Sequence, residues 1–121
     1  MIRNLFIFIA LIVAHLAPPA PAKADVLEWT MRNDYPYTIY VRFFSKTYNN
    51  RAWPGGNDSY IFNDGFDKTV RLACEPGEYI CFGGFTQSRQ SYWGVGEYGN
   101  QGCSTCCRYC GEFYNTTDVL N

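Results

Sequence analysis

The chain has six cysteines, and four of them fall between positions 103 and 110. These four are Cys103, Cys106, Cys107 and Cys110; the other two are Cys74 and Cys81. If the segment were helical, this spacing would bring all four sulfurs onto one face. Four thiolates are a ligand set that suits a zinc ion or an iron–sulfur cluster. Metal binding is therefore the first chemistry to weigh, and it would make the chain a metal-binding protein with four cysteine ligands.

Disulfide bonds are the favoured alternative. An even number of cysteines in a short exported chain is typical of a disulfide framework. Structural zinc sites usually combine two separated Cys-x-x-Cys pairs, whereas Cys106 and Cys107 are adjacent and can hardly converge on one ion. A redox Cys-x-x-Cys motif would need a surrounding βαβ pattern, which is missing. We therefore predict that all six cysteines form disulfides and that the protein binds no metal and no other cofactor.

The pairing of the cysteines can be narrowed, although six allow fifteen arrangements. A bond between the adjacent Cys106 and Cys107 would strain the small ring between them. Residues 68–74 and 79–85 are expected to form a hairpin around a type II turn at Glu75-Pro76-Gly77-Glu78. In that hairpin Cys74 and Cys81 share a face but lie diagonally, so each is expected to bond one member of the cluster. The two remaining members of the cluster then pair with each other.

The composition of residues 25–121 argues against several classes of enzyme and partner. The single histidine, His15, precedes residue 25, so Ser–His and Cys–His nucleophilic pairs are excluded from the rest of the chain. A glycosidase with paired carboxylates would need a cleft that a domain this small has little room to build. Residues 25–121 carry eight basic and eleven acidic side chains without a basic run, which does not favour nucleic acid. We expect a protein that is not an enzyme.

Residues 1–24 are typical of a secretory signal peptide. Arg3 supplies the positive charge, residues 5–17 supply a short apolar run, and Ala22-Lys23-Ala24 forms a small-x-small cleavage site. The apolar run is shorter than the roughly 20 residues that a membrane-spanning helix needs. We predict a secreted or periplasmic protein that begins at Asp25, with residues 25–121 as a single domain and no membrane span after cleavage. An uncleaved N-terminal anchor is the alternative.

Alternating apolar and polar residues predict a mainly β domain. Six short strands are expected, at residues 26–32, 37–44, 59–63, 68–74, 79–85 and 91–98. They favour a small antiparallel β-sandwich or barrel, stapled by disulfides, with a cysteine-rich C-terminal segment. Residues 112–121 are polar and are expected to form a tail that matters little for stability.

Aromatic residues suggest how such a domain would act. Twenty of residues 25–121 are Phe, Tyr or Trp, and Trp53 and Trp93 each stand beside glycines. Rings next to glycine serve either as an open platform for a ligand or as tightly packed core anchors. We predict a binding module for carbohydrate or for another protein, with Tyr48, Trp53 and Trp93 as contact residues near the loop at 45–58. The alternative is a structural or stabilising envelope protein without a small ligand.

Overall fold

The computed structural model describes residues 25–121, which form nine β-strands and no helix. The strands are β1 Asp25–Asn33, β2 Ile39–Ser45, β3 Ala52–Trp53, β4 Tyr60–Phe62, β5 Lys68–Cys74, β6 Tyr79–Phe85, β7 Tyr92–Gly94, β8 Cys107–Tyr109 and β9 Thr117–Leu120. The predicted signal peptide, residues 1–24, lies outside the described residues. Within residues 25–121, no helix is long and apolar enough to cross a membrane.

The strands form two sheets that pack face to face. One sheet has three strands in the order β5-β1-β9; the other has six, with a β3-β2-β6-β7 path, β4 paired to β2 and β8 paired to β6. Every pairing is antiparallel except that of β1 with β9. Trp29 of β1 crosses the interface, with its ring centroid 5.0 Å from that of Phe43 and 5.8 Å from that of Phe82. The predicted small β fold, a sandwich or barrel of about six strands, is confirmed as a sandwich, although it has nine strands because β3, β8 and β9 were not predicted.

Period-two alternation explains which side chains form the core. In β1, Leu27, Trp29 and Met31 are buried, whereas the residues between them face outward. In β2 the same alternation buries Ile39, Val41 and Phe43 and leaves Tyr40 and Arg42 on the outer face. Each large apolar side chain that is buried stabilises the fold by about 1.5–3 kcal/mol relative to leaving it exposed. The inner faces of the two sheets therefore hold the sandwich together.

The predicted hairpin of residues 68–85 is wrong. Both strands exist, but β5 pairs with β1 and β6 pairs with β2, so they belong to different sheets. The turn between them does form: the amide of Glu78 donates to the carbonyl of Glu75 at 2.9 Å, and Gly77 has φ 80°. It links two sheets because β1 and β2 offer long complementary partners, and crossing the core buries the apolar faces of β5 and β6 against each other.

The expectation of a polar tail is also wrong. Residues 117–120 form β9, which pairs with β1, and Leu120 is buried. Trp29 Nε1 donates to the Asp118 carboxylate at 2.6 Å, and the buried Arg108 donates to the same oxygen at 3.2 Å. Burial lowers the pKa of Arg108, although Asp118 counteracts the effect. A four-residue strand with one buried apolar side chain leaves too weak a pattern to be detected in a sequence.

The three disulfides follow the expected scheme. Cys74 bonds Cys110, Cys81 bonds Cys107, and Cys103 bonds Cys106. The cysteine cluster is a loop followed by β8 and not a helix, and Cys107 lies directly opposite Cys81 in the β6–β8 pairing. No cysteine within residues 25–121 is left unbonded. Three disulfides in one small domain indicate an oxidising environment.

Candidate functional site

Two connecting segments meet at one end of the six-stranded sheet and enclose an open cleft of about 600 Å³. One segment joins β1 to β2, and the other joins β6 to β7. We call this cavity the Tyr37 cleft. Its lining residues are Tyr37, Thr38, Thr86, Gln87, Ser88 and Gln90.

The aromatic wall of the Tyr37 cleft is held by its neighbours. The Tyr37 ring is 68% exposed and meets Tyr35 edge to face at 5.9 Å, and Tyr35 in turn meets Trp93 at 5.0 Å. The Asn33 side-chain amide donates to the Tyr37 carbonyl at 2.9 Å, and its oxygen accepts the Tyr35 amide at 2.7 Å. The Tyr35 hydroxyl bonds that of Ser91 at 3.1 Å. Tyr37 therefore combines an accessible ring with a fixed backbone.

The opposite wall is a tight loop organised by Arg89. The Arg89 backbone has φ 58°, and its amide donates to the Thr86 carbonyl at 2.9 Å. Its guanidinium makes two hydrogen bonds of 3.1 Å to the Glu97 carboxylate and one of 2.9 Å to the Gln87 carbonyl. The hydrogen bond to Glu97 raises the pKa of Arg89, which stays cationic. These contacts fix the loop that presents the side chains of Gln87, Ser88 and Gln90.

The lining of the Tyr37 cleft has a recognisable chemistry. Its polar groups are hydroxyls and carboxamides, which both donate and accept hydrogen bonds and carry no charge. The exposed ring of Tyr37 adds a flat apolar surface with a polar tip. The lining contains no carboxylate, thiol or imidazole to act as a nucleophile or a general base. This combination suits a neutral molecule that is rich in hydroxyls and also has an apolar face.

Tyr48 and Trp53, two of the predicted contact residues, lie together around Arg51. The Arg51 guanidinium lies 5.8 Å from the Tyr48 ring centroid and 5.3 Å from that of Trp53. The Tyr48 hydroxyl donates to Glu75 at 2.5 Å, which raises the pKa of Tyr48. Trp53 is half-buried and donates its indole N–H to the Ala73 carbonyl at 3.0 Å.

Trp93 lies apart from that pair. It belongs to β7, whereas Trp53 belongs to β3, and these strands are opposite ends of the four-strand path. Three interstrand spacings, or about 14 Å, separate them. The structure therefore does not bring the three predicted residues into one site, and ligand contact by any of them stays a prediction. Trp93 instead packs against Tyr35, which in turn contacts the Tyr37 ring of the cleft.

Sequence reasoning missed the residues that line the Tyr37 cleft. The signals available were the turn around Tyr35-Pro36-Tyr37 and the polar loop at 87–90. Neither signal shows that the two segments meet, because their contact depends on the pairing of β2 with β6.

The sulfur atoms are the other dense cluster of chemically active groups. The Sγ atoms of Cys81, Cys106 and Cys107 all lie within 4.8 Å of one another, and those of Cys106 and Cys107 are 3.8 Å apart. Each of the three is part of a disulfide, and a disulfide offers no thiolate to a metal. This group also differs from the four cysteines considered for zinc, because it includes Cys81 and lacks Cys110, which is bonded to Cys74.

Comparisons with protein-family models, with curated proteins and with solved structures find no match to this chain.

Proposed function

We propose that the protein is an exported, non-enzymatic carbohydrate-binding module and that the Tyr37 cleft is its binding site. One observation carries the proposal: an exposed, backbone-fixed tyrosine ring faces a cleft whose polar lining is entirely uncharged. A sugar ring has C–H faces that pack against an aromatic ring and hydroxyls that bond amides and other hydroxyls. Ligand sites commonly combine an apolar surface with a few fixed polar groups in this way.

The remaining parts of the proposal rest on the disulfides and on the lining of the cleft. Three disulfides are expected in a protein that works in the periplasm or outside the cell, and the leader-like residues 1–24 are consistent with export. The lining supplies hydrogen-bonding groups without a catalytic pair, which favours binding over reaction.

The test is a glycan array followed by calorimetry on the best sugar. Replacing Tyr37 with alanine removes the stacking ring, and we expect affinity to fall at least tenfold, or about 1.4 kcal/mol. Gln87→Ala should weaken binding less, because it removes one of several hydrogen-bonding side chains.

N-terminal sequencing of exported protein should begin at Asp25, whereas recovery of Met1 in a membrane fraction would contradict export by cleavage.

Tyr98→Ala is the matched control. Tyr98 is 70% exposed, close to the 68% of Tyr37, but it lines a different cavity with Lys46 and Arg51. We expect this variant to bind sugar as the wild type does. Loss of binding in Tyr98→Ala together with full binding in Tyr37→Ala would refute the Tyr37 cleft and return attention to the side of the molecule that holds Tyr48 and Trp53.

A structural role in the cell envelope is the second candidate, and the tryptophans favour it. The indole N–H groups of Trp53 and Trp93 donate to the carbonyls of Ala73 and Asn121, so both polar tips are already used within the fold. Failure to bind any sugar, combined with crosslinking to other envelope proteins, would support this candidate over the binding module.

A further inference from the structure

A second cavity, of about 440 Å³, adjoins the Tyr37 cleft on the outer face of the six-stranded sheet. Its lining includes Tyr40, Arg42, Asp58, Ile61, Phe85 and Gln87. Gln87 also lines the Tyr37 cleft, so the two cavities share a wall. We call the second cavity the Tyr40 groove.

The two cavities follow one strand. Because Ile39 and Val41 face the core, the alternation of β2 places Thr38, Tyr40 and Arg42 on the opposite, outer side. Thr38 lines the Tyr37 cleft, whereas Tyr40 and Arg42 line the Tyr40 groove. Four residues of extended chain span about 13 Å. The cavities therefore lie next to each other along about 13 Å of the strand, with Gln87 between them.

The floor of the Tyr40 groove is held in place by ring stacking and hydrogen bonds. The Tyr40 ring stacks on Phe85 with a centroid separation of 5.6 Å and an interplanar angle of 25°. The Arg42 guanidinium lies 5.1 Å from the Phe85 centroid and donates to the carbonyls of Asn57, at 2.8 Å, and Glu97, at 3.2 Å. These bonds fasten the segment before β4 to β2. A ligand would meet a surface that is already ordered, which reduces the entropy lost on binding.

The Tyr40 groove differs from the Tyr37 cleft in having charged residues in its lining, namely Arg42, Asp58 and Arg89, but both guanidiniums are already bonded within the fold. Ile61 lies opposite Tyr40 in the β2–β4 pairing and is 48% exposed, so together they offer an apolar strip. The Asp58 carboxylate adds a hydrogen-bond acceptor, and the Gln87 amide provides both a donor and an acceptor at the junction. An apolar strip bordered by polar groups again suits the faces and hydroxyls of sugar rings.

We propose that the ligand is a linear oligosaccharide that lies along β2, with one end in the Tyr37 cleft and further sugar units in the Tyr40 groove. This inference rests on the proposed carbohydrate-binding function and adds to it a preference for chain length. Gln87 contacts the chain where it passes from one cavity to the other.

The experiment measures affinity against chain length by calorimetry. The probes are gluco-, manno- and chito-oligosaccharides from one to six sugar units, together with the best ligand from the glycan array. In the series that binds, the wild type should gain at least tenfold in affinity between the single sugar and the chain that fills both cavities, and longer chains should add nothing.

The variant Asp58→Ala/Ile61→Ala tests the Tyr40 groove by shortening two side chains outside the core. It should bind the single sugar as the wild type does and lose most of the gain with length. Val119→Ala, an exposed aliphatic position at 38% on the other sheet, is the matched control and should keep the full gain.

The outcomes separate the two claims. Sugar binding that is lost in Tyr37→Ala but does not depend on chain length would overturn the extended site and leave the proposed function standing. A full length-dependent gain in Asp58→Ala/Ile61→Ala would also overturn it. Absence of binding to every sugar would overturn both.

Discussion

Removing the disulfides one at a time should destabilise the protein in a graded order. The paired cysteines are separated by 36 residues for Cys74–Cys110, by 26 for Cys81–Cys107 and by 3 for Cys103–Cys106. As the sole crosslink of the unfolded chain, each bond would contribute about 3.8, 3.5 and 1.6 kcal/mol, respectively, and these are upper values because the three loops are nested. The longest loop should therefore matter most, and the three-residue loop should matter least.

These costs are large against the total stability of a domain of this size, about 5–15 kcal/mol. At about 4–8 °C per kcal/mol, the double variant Cys74→Ala/Cys110→Ala should melt up to about 15–30 °C below the wild type. Cys103→Ala/Cys106→Ala should melt about 6–13 °C below it. Cys74 and Cys110 are both buried, whereas only Cys106 is buried in the other pair, so the added packing loss is larger for the first variant.

The assay is urea unfolding followed by tryptophan fluorescence, with thermal melts beside it. Thiol titration under denaturing, non-reducing conditions should first confirm that no thiol is free in the wild type. Equal costs for the three-residue and 36-residue loops would refute the unfolded-state reasoning. Four titratable thiols with one bound zinc would refute the disulfide assignment itself.

Two further predictions concern a glycine contact and a tyrosine. Alanine at Gly83 would place its Cβ against the carbonyl oxygen of Gly96, so Gly83→Ala should lower the free energy of unfolding by about 3 kcal/mol or more. A Cβ at Gly102 would have no atom within 4 Å, so Gly102→Ala should stay within about 0.5 kcal/mol of the wild type. Urea unfolding measures both. The hydrogen bond to Glu75 raises the pKa of Tyr48, so its stabilisation is present below about pH 10 and is lost as the pH rises through the folded-state pKa. Glu75→Ala should lower that pKa, as measured by tyrosinate absorbance against a Tyr48→Phe reference; an unchanged titration would contradict the assignment.

Strand alternation made much of the fold predictable. Residues 68–74 place Val70, Leu72 and Cys74 on one face, and these side chains are buried as the pattern requires. Alternation shows which side faces inward but not which strand lies alongside. The local turn at 75–78 therefore favoured a hairpin, whereas the longer partner β1 determined the actual pairing.

The disulfide scheme was predicted correctly from a strand pairing that does not exist. Cys74 and Cys81 do not lie on one hairpin, yet both are buried, and each is bonded to a member of the cluster. Cys74 faces the core with Leu72, whereas Cys81 lies on the outer face of the six-stranded sheet together with Phe85, so the predicted shared face was mistaken as well as the hairpin.

The candidate site was less predictable than the fold for a physical reason. Tyr37 and Gln87 come from segments far apart in sequence, and nothing local to either records their meeting. The sequence instead led to the prediction that Trp53 and Trp93, which lie near glycines, contact a ligand. In Trp93 that arrangement serves close packing, because a Cβ on Gly94 would overlap the Phe82 backbone.

The parallel pairing of β9 with β1 has a consequence for how the protein is made. Thr30 of the first strand is matched with Thr117 near the end of the chain, so one side of β1 stays open until those residues have been synthesised. Pairings this distant in sequence close slowly, and all-β domains rich in them fold in milliseconds to seconds. A chain that stops before residue 117 would expose the unpaired backbone of β1 and be prone to aggregate through it.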